Sequence, residues 1–185
     1  MQIRRENPSS KVVTGNTERG VDTKFRGLLY PHLISPVAVP ELNTIRILPD
    51  RLHLGASSTL NRIDAKLRDW IDAEKSPKTQ IAESICEILT WFAGDQIRNV
   101  SAIGGNLMTA SPISDLSPIL MASGASVEFG ESPENPKTAK IDETFFTGYR
   151  KTIIPNSSTL VQSSKSFVQI DKLANWNTSS SIELL

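Results

Sequence analysis

The sequence predicts an α+β fold, and three observations carry that prediction. Apolar residues recur at helical spacing in two long stretches. Short alternating stretches read as strands, one pair set around Pro49-Asp50. Strands and helices do not alternate as a regular βαβ repeat, which argues against a doubly wound sheet. The 185 residues suffice for one domain with a real core. A 38% hydrophobic and 22% charged composition is that of an ordinary water-exposed fold.

In chain order, Lys11–Gly15 reads as a short buried strand that ends in glycine, followed by a turn over Asn16–Gly20. Residues 37–42 are extended between Pro36 and Pro40. Ile45 and Ile47, then Leu52 and Leu54, alternate around Pro49-Asp50 as a hairpin. Leu60, Ile63, Leu67 and Ile71 fall on one face of a helix over about Leu60–Ala73, with Ser58 or Thr59 as cap. Ile81, Ile85, Ile88, Leu89 and Phe92 mark a second helix over about Gln80–Phe92. Pro77 sits in its first turn and Gly94 closes it. Leu116, Ile119 and Leu120 mark a third, capped by Ser114 or Asp115. Ser126–Phe129 and Thr138–Ile141 are strands flanking a loop rich in Gly, Pro and Asn. From about 161 to 185 the chain is rich in Ser, Asn and Thr without a clear period. It reads as a poorly structured or non-native tail behind a domain that ends at 160.

Charge and ligand chemistry narrow the function. Lys+Arg and Asp+Glu both number 20, so the formal net charge is zero. That argues against a general nucleic-acid or membrane-surface binder. The single cysteine, Cys86, excludes a disulfide framework and an iron–sulfur cluster held by this chain's own thiols. It reads as an inert thiol in the second helix. With only His32 and His53 besides, a zinc site is not expected. No apolar run reaches the length of a membrane span, and no leader is evident, so the expected compartment is cytoplasmic. No catalytic residue is assigned. There is no P-loop, and Gly104-Gly105 is not a GxGxxG.

The most informative stretch runs from Trp91 to Pro118, WFAGDQIRNVSAIGGNLMTASPISDLSP. Its Gly-Gly pair removes β-carbons where an anionic ligand could approach backbone N–H groups. A tight turn with a helix cap is the plainer alternative for the pair by itself. Phe92 suits either stacking on a flat ligand or core packing.

KVVTGNTERG resembles the first flavin-binding segment of xanthine dehydrogenases, members of the molybdenum hydroxylase family. WFAGDQIRNVSAIGGNLMTASPISDLSPILMASGA resembles their second, and DETFFTGYRKT the segment that closes the first part of the same domain. The likeness runs from about Pro8 to Leu160 in the family's order and spacing. It implies an incomplete FAD-binding domain of the vanillyl-alcohol-oxidase and p-cresol-methylhydroxylase type. The resemblance further implies contacts to FAD. Val12, Val13, Thr14, Gly15, Asn16, Thr17, Glu18 and Arg19 would wrap its flavin and pyrophosphate end with backbone groups. Phe92 would lie near the isoalloxazine ring. Ala102, Ile103, Gly104, Gly105 and Asn106 would cradle the dinucleotide with Thr109 nearby. Asp115 would accept a hydrogen bond from it, and Leu160 would touch it from the far side. Ala102 stands where the family usually has Ser, Arg19 where an apolar residue is usual, and Ser117 where Asn is common.

In the family, electrons from purine hydroxylation at molybdenum pass through iron–sulfur clusters to FAD, and on to NAD or oxygen. The iron–sulfur clusters and molybdopterin belong to domains not found in this sequence, and the parent is expected to be a homodimer. This sequence then supplies part of the flavin station and is not expected to be competent alone. The alternatives are a non-catalytic truncated remnant without stable flavin binding, and the flavin domain of an aldehyde oxidase-like enzyme.

Overall fold

The computed structural model describes residues 6–7, 9–130, 136–155 and 167–171. The chain opens with β1 (Lys11–Val12), α1 (Arg19–Arg26) and β2 (Leu33–Ile34), and β1 pairs with β2 in parallel. β3 (Ile45–Ile47) and β4 (Arg51–Gly55) form the antiparallel hairpin that the alternation around Pro49 predicts. Then come α2 (Leu60–Glu74) and α3 (Gln80–Trp91), within a residue of the ranges read from their apolar stripes. The short helices α4 (Asp95–Arg98), α5 (Ile103–Thr109) and α6 (Leu116–Ala122) follow. The described chain ends with β5 (Ser126–Phe129), β6 (Lys137–Lys140), the hairpin β7 (Phe146–Gly148) and β8 (Lys151–Thr152), and β9 (Phe167–Asp171).

The core forms where the helical stripes meet the sheet. α2 buries Leu60, Ile63 and Leu67; α3 buries Ile81, Ala82, Ile85, Cys86 and Leu89. The two helices pack against each other and share one cluster with Leu52, Leu54, Val127, Val168 and Ile170 of the sheet. Burying such side chains contributes roughly 1.5–3 kcal/mol each. Thr79 is fully buried at the start of α3, where its hydroxyl donates to Glu83 at 2.6 Å. Lys75 ends α2 in the left-handed region, φ 45°, with its N–H donating to the Ile71 carbonyl.

The main sheet has five strands in the order β3-β4-β9-β5-β6, with antiparallel neighbours throughout. Of the stretch 161–185, read as a poorly structured tail, residues 167–171 are described, and they form a strand. Residues 167–171 are the central strand, with Val168 set against Leu54 on one side and Val127 on the other. Val168 and Ile170 are fully buried. The reason is tertiary: five alternating residues among Ser and Asn carry little local signal, and two waiting strand edges supply the rest. The remainder of 161–185, and Leu160 itself, lie outside the described residues.

Three smaller expectations also change. The turn read at Asn16–Gly20 is the entry to α1, which begins at Arg19. The extended stretch at 37–42 ends in a 3-10 turn over Pro40–Asn43. The Gly-Gly pair, for which a tight turn with a helix cap is the plainer sequence reading, lies inside the first turn of α5.

A cleft between two backbone-rich walls

The first wall is the segment 12–19. β1 holds its start, and Val13 N–H donates to the Ile34 carbonyl at 2.9 Å. Beyond Val13 the chain bends, and Asn16 takes φ 55°, a conformation asparagine tolerates better than most residues. Gly15 has a separate reason to be glycine. A β-carbon there would fall 2.0 Å from the Val100 carbonyl oxygen, so this bend presses directly on the backbone of the second wall. Ser101 Oγ donates to Thr17 Oγ1 at 3.4 Å across the same junction.

The second wall is the start of α5. Ala102 bridges to Thr59 at the head of α2. The N–H groups of Ile103 and Gly104 donate to the carbonyls of Ser58 and Ala56, at 3.2 and 3.0 Å. The two glycines then play different parts. A β-carbon on Gly104 would lie 2.7 Å from the Ala56 carbonyl oxygen and 2.9 Å from its β-carbon, so Gly104 is a packing glycine on the inner side. A β-carbon on Gly105 would meet nothing within 4 Å, and Gly105 lines the open cleft. Thr109 closes back on the helix, its hydroxyl donating to the Gly105 carbonyl at 2.9 Å.

Between these walls lies a cleft of about 410 Å³. The whole of 12–19 lines it, together with Phe92, Ala102, Gly105, Asn106, Thr109 and Asp115. Ile103 and Gly104 are buried behind it and do not line it. Phe92 packs partly buried against the core and also lines the cleft. Its backbone is held by Arg98, whose Nη1 donates to the carbonyls of Phe92 and Ala93 at 2.8 and 2.9 Å. Ser114, not Asp115, caps α6, accepting from Ser117 N–H at 3.2 Å while its hydroxyl donates to Asn106 Oδ1 at 3.1 Å. The exposed Asp115 carboxylate caps nothing.

Sequence reasoning missed Ile97, Ser101, Met108, Ser111, Ile113, Ser114 and Arg150, which also line the cleft. Ser111, Ile113 and Ser114 lie inside the TASPISDL string, and Arg150 inside FFTGYRKT, so proximity to those motifs was the available signal. Arg150 and Glu18 form an ion pair that joins the hairpin β7–β8 to the first wall. Arg19 is the other cation of the cleft. It donates to Asp22 at 2.8 Å, and the Asp22 carboxylate also accepts from Arg26 and from Tyr30 Oη, both at 3.0 Å. Burial pushes the Asp22 carboxyl up, but the Tyr30 hydroxyl and the two guanidiniums outweigh it and hold the group below the usual carboxylate range. Asp22 therefore stays charged and holds Arg19 at the cleft.

These walls suit a dinucleotide with an anionic middle. They offer backbone, hydroxyls, an open glycine and two guanidiniums. Among the described residues, no helix is long and apolar enough to cross a membrane.

Comparison with known proteins gives the same direction. A family model described as the FAD binding domain in molybdopterin dehydrogenase matches residues 1–164. The xanthine dehydrogenase/oxidase of Gallus gallus is 44% identical over 159 residues, covering 86% of this chain and 12% of that protein. The xanthine dehydrogenase of Drosophila pseudoobscura pseudoobscura is 43% identical over 157 residues, with 83% and 12% covered. The chain thus spans about 12% of the length of the curated relatives it matches. Among solved structures, carbon monoxide dehydrogenase from Hydrogenophaga pseudoflava superposes with a TM-score of 0.75 at 22% identity, over 94% of this chain and 55% of that one. Quinoline 2-oxidoreductase from Pseudomonas putida 86 does so with a TM-score of 0.76 at 18% identity, over 92% and 54%. The two superpositions agree on the fold, the two relatives are more than 40% identical over most of this chain, and the family model spans both walls of the cleft: this chain belongs to the family of FAD-binding domains of molybdopterin dehydrogenases.

Proposed function

We propose that the cleft between residues 12–19 and the start of α5 holds FAD, and that the chain is the flavin-binding portion of a xanthine dehydrogenase-like oxidoreductase. The observation that carries this reading is the meeting of two sequence-distant segments on one cleft, with Gly105 open toward it. In this reading Arg19 and Arg150 offset the pyrophosphate charge. The wall 12–19 and Asn106 supply polar and backbone contacts, and the free Asp115 carboxylate accepts from a cofactor hydroxyl. Phe92 gives an apolar face to the isoalloxazine. Ile103 and Gly104 support the site from behind rather than touching the cofactor. The FAD-binding unit extends past 160 to include β9, and Leu160 remains a proposed contact.

When bound, FAD supplies two-electron redox chemistry; the protein holds and tunes it. In the parent enzyme, electrons from purine hydroxylation would reach the flavin from iron–sulfur clusters and leave to NAD or oxygen. Iron–sulfur and molybdenum domains are then the partners, in a cytoplasmic homodimer. The residues of this chain bind and orient the cofactor, and the chain alone is not expected to turn over.

The test is a flavin titration of the 185-residue chain followed by fluorescence quenching, with Gly105→Val alongside. FAD binding by the parent and at least tenfold weaker binding by the variant, at unchanged helical signal, support the reading. Equal binding by both would remove FAD from this cleft.

A further inference from the structure

α1 is turned inside out. Its one buried side chain is the charged Asp22, while Val21 and Phe25 are 44% and 73% exposed. An eight-residue helix of that kind adds little to the core, so its place in the fold needs another reason. The network around Asp22 supplies one. Its side chain is 3% exposed, and a carboxylate is costly to bury unless it is paired. It accepts from three donors: Arg19 Nη1 at 2.8 Å, Arg26 Nη1 at 3.0 Å and Tyr30 Oη at 3.0 Å. The chain turns back after α1 at Gly27, where the Leu28 N–H donates to the Asp22 carbonyl at 3.2 Å, and Tyr30 thereby returns to the carboxylate. The Arg19 guanidinium lies over the Tyr30 ring, 5.8 Å from its centroid. Of these four side chains only Arg19 lines the cleft.

Charge sets Arg19 apart from the other ionised groups that line the cleft, Glu18, Asp115 and Arg150. Glu18 and Arg150 pair one to one and cancel. Asp115 is an exposed carboxylate. Arg19 and Arg26 share the single Asp22, so that cluster keeps one surplus positive charge, two guanidiniums less one carboxylate. An apolar residue is usual at position 19 in the family that the sequence resembles, so the resemblance does not account for this cation. We propose that Asp22 and Tyr30 are positioning residues that hold Arg19 as the charge-reading group of the cleft, so that ligand affinity there follows phosphate charge; the inference rests on the FAD reading. A guanidinium recognises phosphate by its charge and by its planar fork of N–H donors. Arg19 Nη1 is held by Asp22 at 2.8 Å, with Tyr30 Oη at 3.5 Å. The side chain is therefore ordered before a ligand arrives, which lowers the entropic cost of binding. Asp22 and Tyr30 act through Arg19 and do not themselves line the cleft.

The experiment varies the phosphate and the network together. ADP binding is followed by calorimetry, and riboflavin and FAD binding by fluorescence quenching, on the 185-residue chain at low and high salt. Arg19→Ile should lower FAD and ADP affinity about tenfold, the size of one hydrogen bond to a charged group. It should also flatten their salt dependence, while riboflavin, which has no phosphate, binds as to the parent. Arg26→Gln takes the same charge from the same carboxylate outside the cleft and should leave FAD affinity near the parent's. Tyr30→Phe keeps the ring and should lower FAD affinity about threefold, and Asp22→Asn about tenfold. Neither should change it further when Arg19 is already Ile, because the network acts only through that residue. FAD bound equally by the parent and by Arg19→Ile overturns the inference and leaves the FAD reading intact. An equal fall on Arg26→Gln overturns it too, since net charge would then matter and not the held guanidinium. So does a Tyr30→Phe effect of the same size with and without Arg19, the mark of a merely structural residue, and so does an equal loss of riboflavin on Arg19→Ile. A parent chain that binds neither FAD nor ADP overturns this inference and the FAD reading together.

Discussion

The sheet and the cleft are built by opposite means. In the sheet, Leu52, Leu54, Val127, Val168 and Ile170 are all fully buried, and long-range strand pairing sets their positions. The wall 12–19 is partly or fully exposed, bends repeatedly, and is pinned by a few contacts: Gly15 against Val100, Ser101 to Thr17, and Glu18 to Arg150. Such contacts contribute little each, about 0.5–1.5 kcal/mol for a hydrogen bond. This segment thus takes its shape from the segments it is pinned against. Substitutions in the sheet should therefore move stability, and substitutions in the cleft should move affinity.

The largest break of that division is expected at β9. Ile170→Ala removes a fully buried side chain from the central strand and should cost about 2–5 kcal/mol in urea denaturation. If β9 were peripheral, the midpoint would hardly move. The glycine pair sharpens the division within two adjacent residues. Gly104→Val overpacks against Ala56 and should destabilise the fold by about 1–3 kcal/mol. Gly105→Val enters open space within a helix and should leave the melting temperature unchanged or slightly raised while FAD affinity falls. Next come the two candidate caps. Ser114→Ala loses the real cap of α6 and should cost about 0.5–2 kcal/mol of stability. Asp115→Ala should leave stability alone and weaken FAD by about 0.5–1.5 kcal/mol. Loss of stability on Asp115→Ala equal to that on Ser114→Ala would undo the assignment.

The smallest effect concerns Cys86. Burial, with its contact to Asp64, pushes the thiol up to about 12. The unfolded chain's thiol ionises near ~8.5. A raised folded value favours the folded state below the unfolded pKa, and that contribution is lost as pH climbs from about 9 toward 12. Thiol labelling at pH 8 should accordingly be slow in the folded chain and fast in urea. Rapid labelling of the folded chain would mean that the thiol is exposed or activated.

The legibility of the two regions runs the other way from their stability. The cleft's lining was legible through the resemblance that VVTGNTER and AIGGN carry in consecutive residues, although which glycine packs and which lines the cleft was not visible. That choice depends on Ala56, far away in the chain. The helices α2 and α3 were readable from their stripes. β9 was not, because a five-residue alternation becomes a strand only when two partners flank it. α1 was hidden by its exposed apolar residues, Val21 and Phe25, which make no core stripe; its one buried side chain is the charged Asp22.

The central place of β9 has a consequence for biosynthesis. β3–β4 and β5–β6 both precede β9 in the chain, and each leaves one edge waiting for the strand at 167–171. Uncovered edges of this kind pair with other chains, and contacts between residues as distant as Gly55 and Phe167 close slowly. Until residue 171 clears the exit tunnel, the nascent chain has two incomplete hairpins instead of a sheet. A ribosome paused in the stretch before β9 would hold the chain in its most aggregation-prone form, and chaperone demand during translation should peak there and fall once the strand inserts.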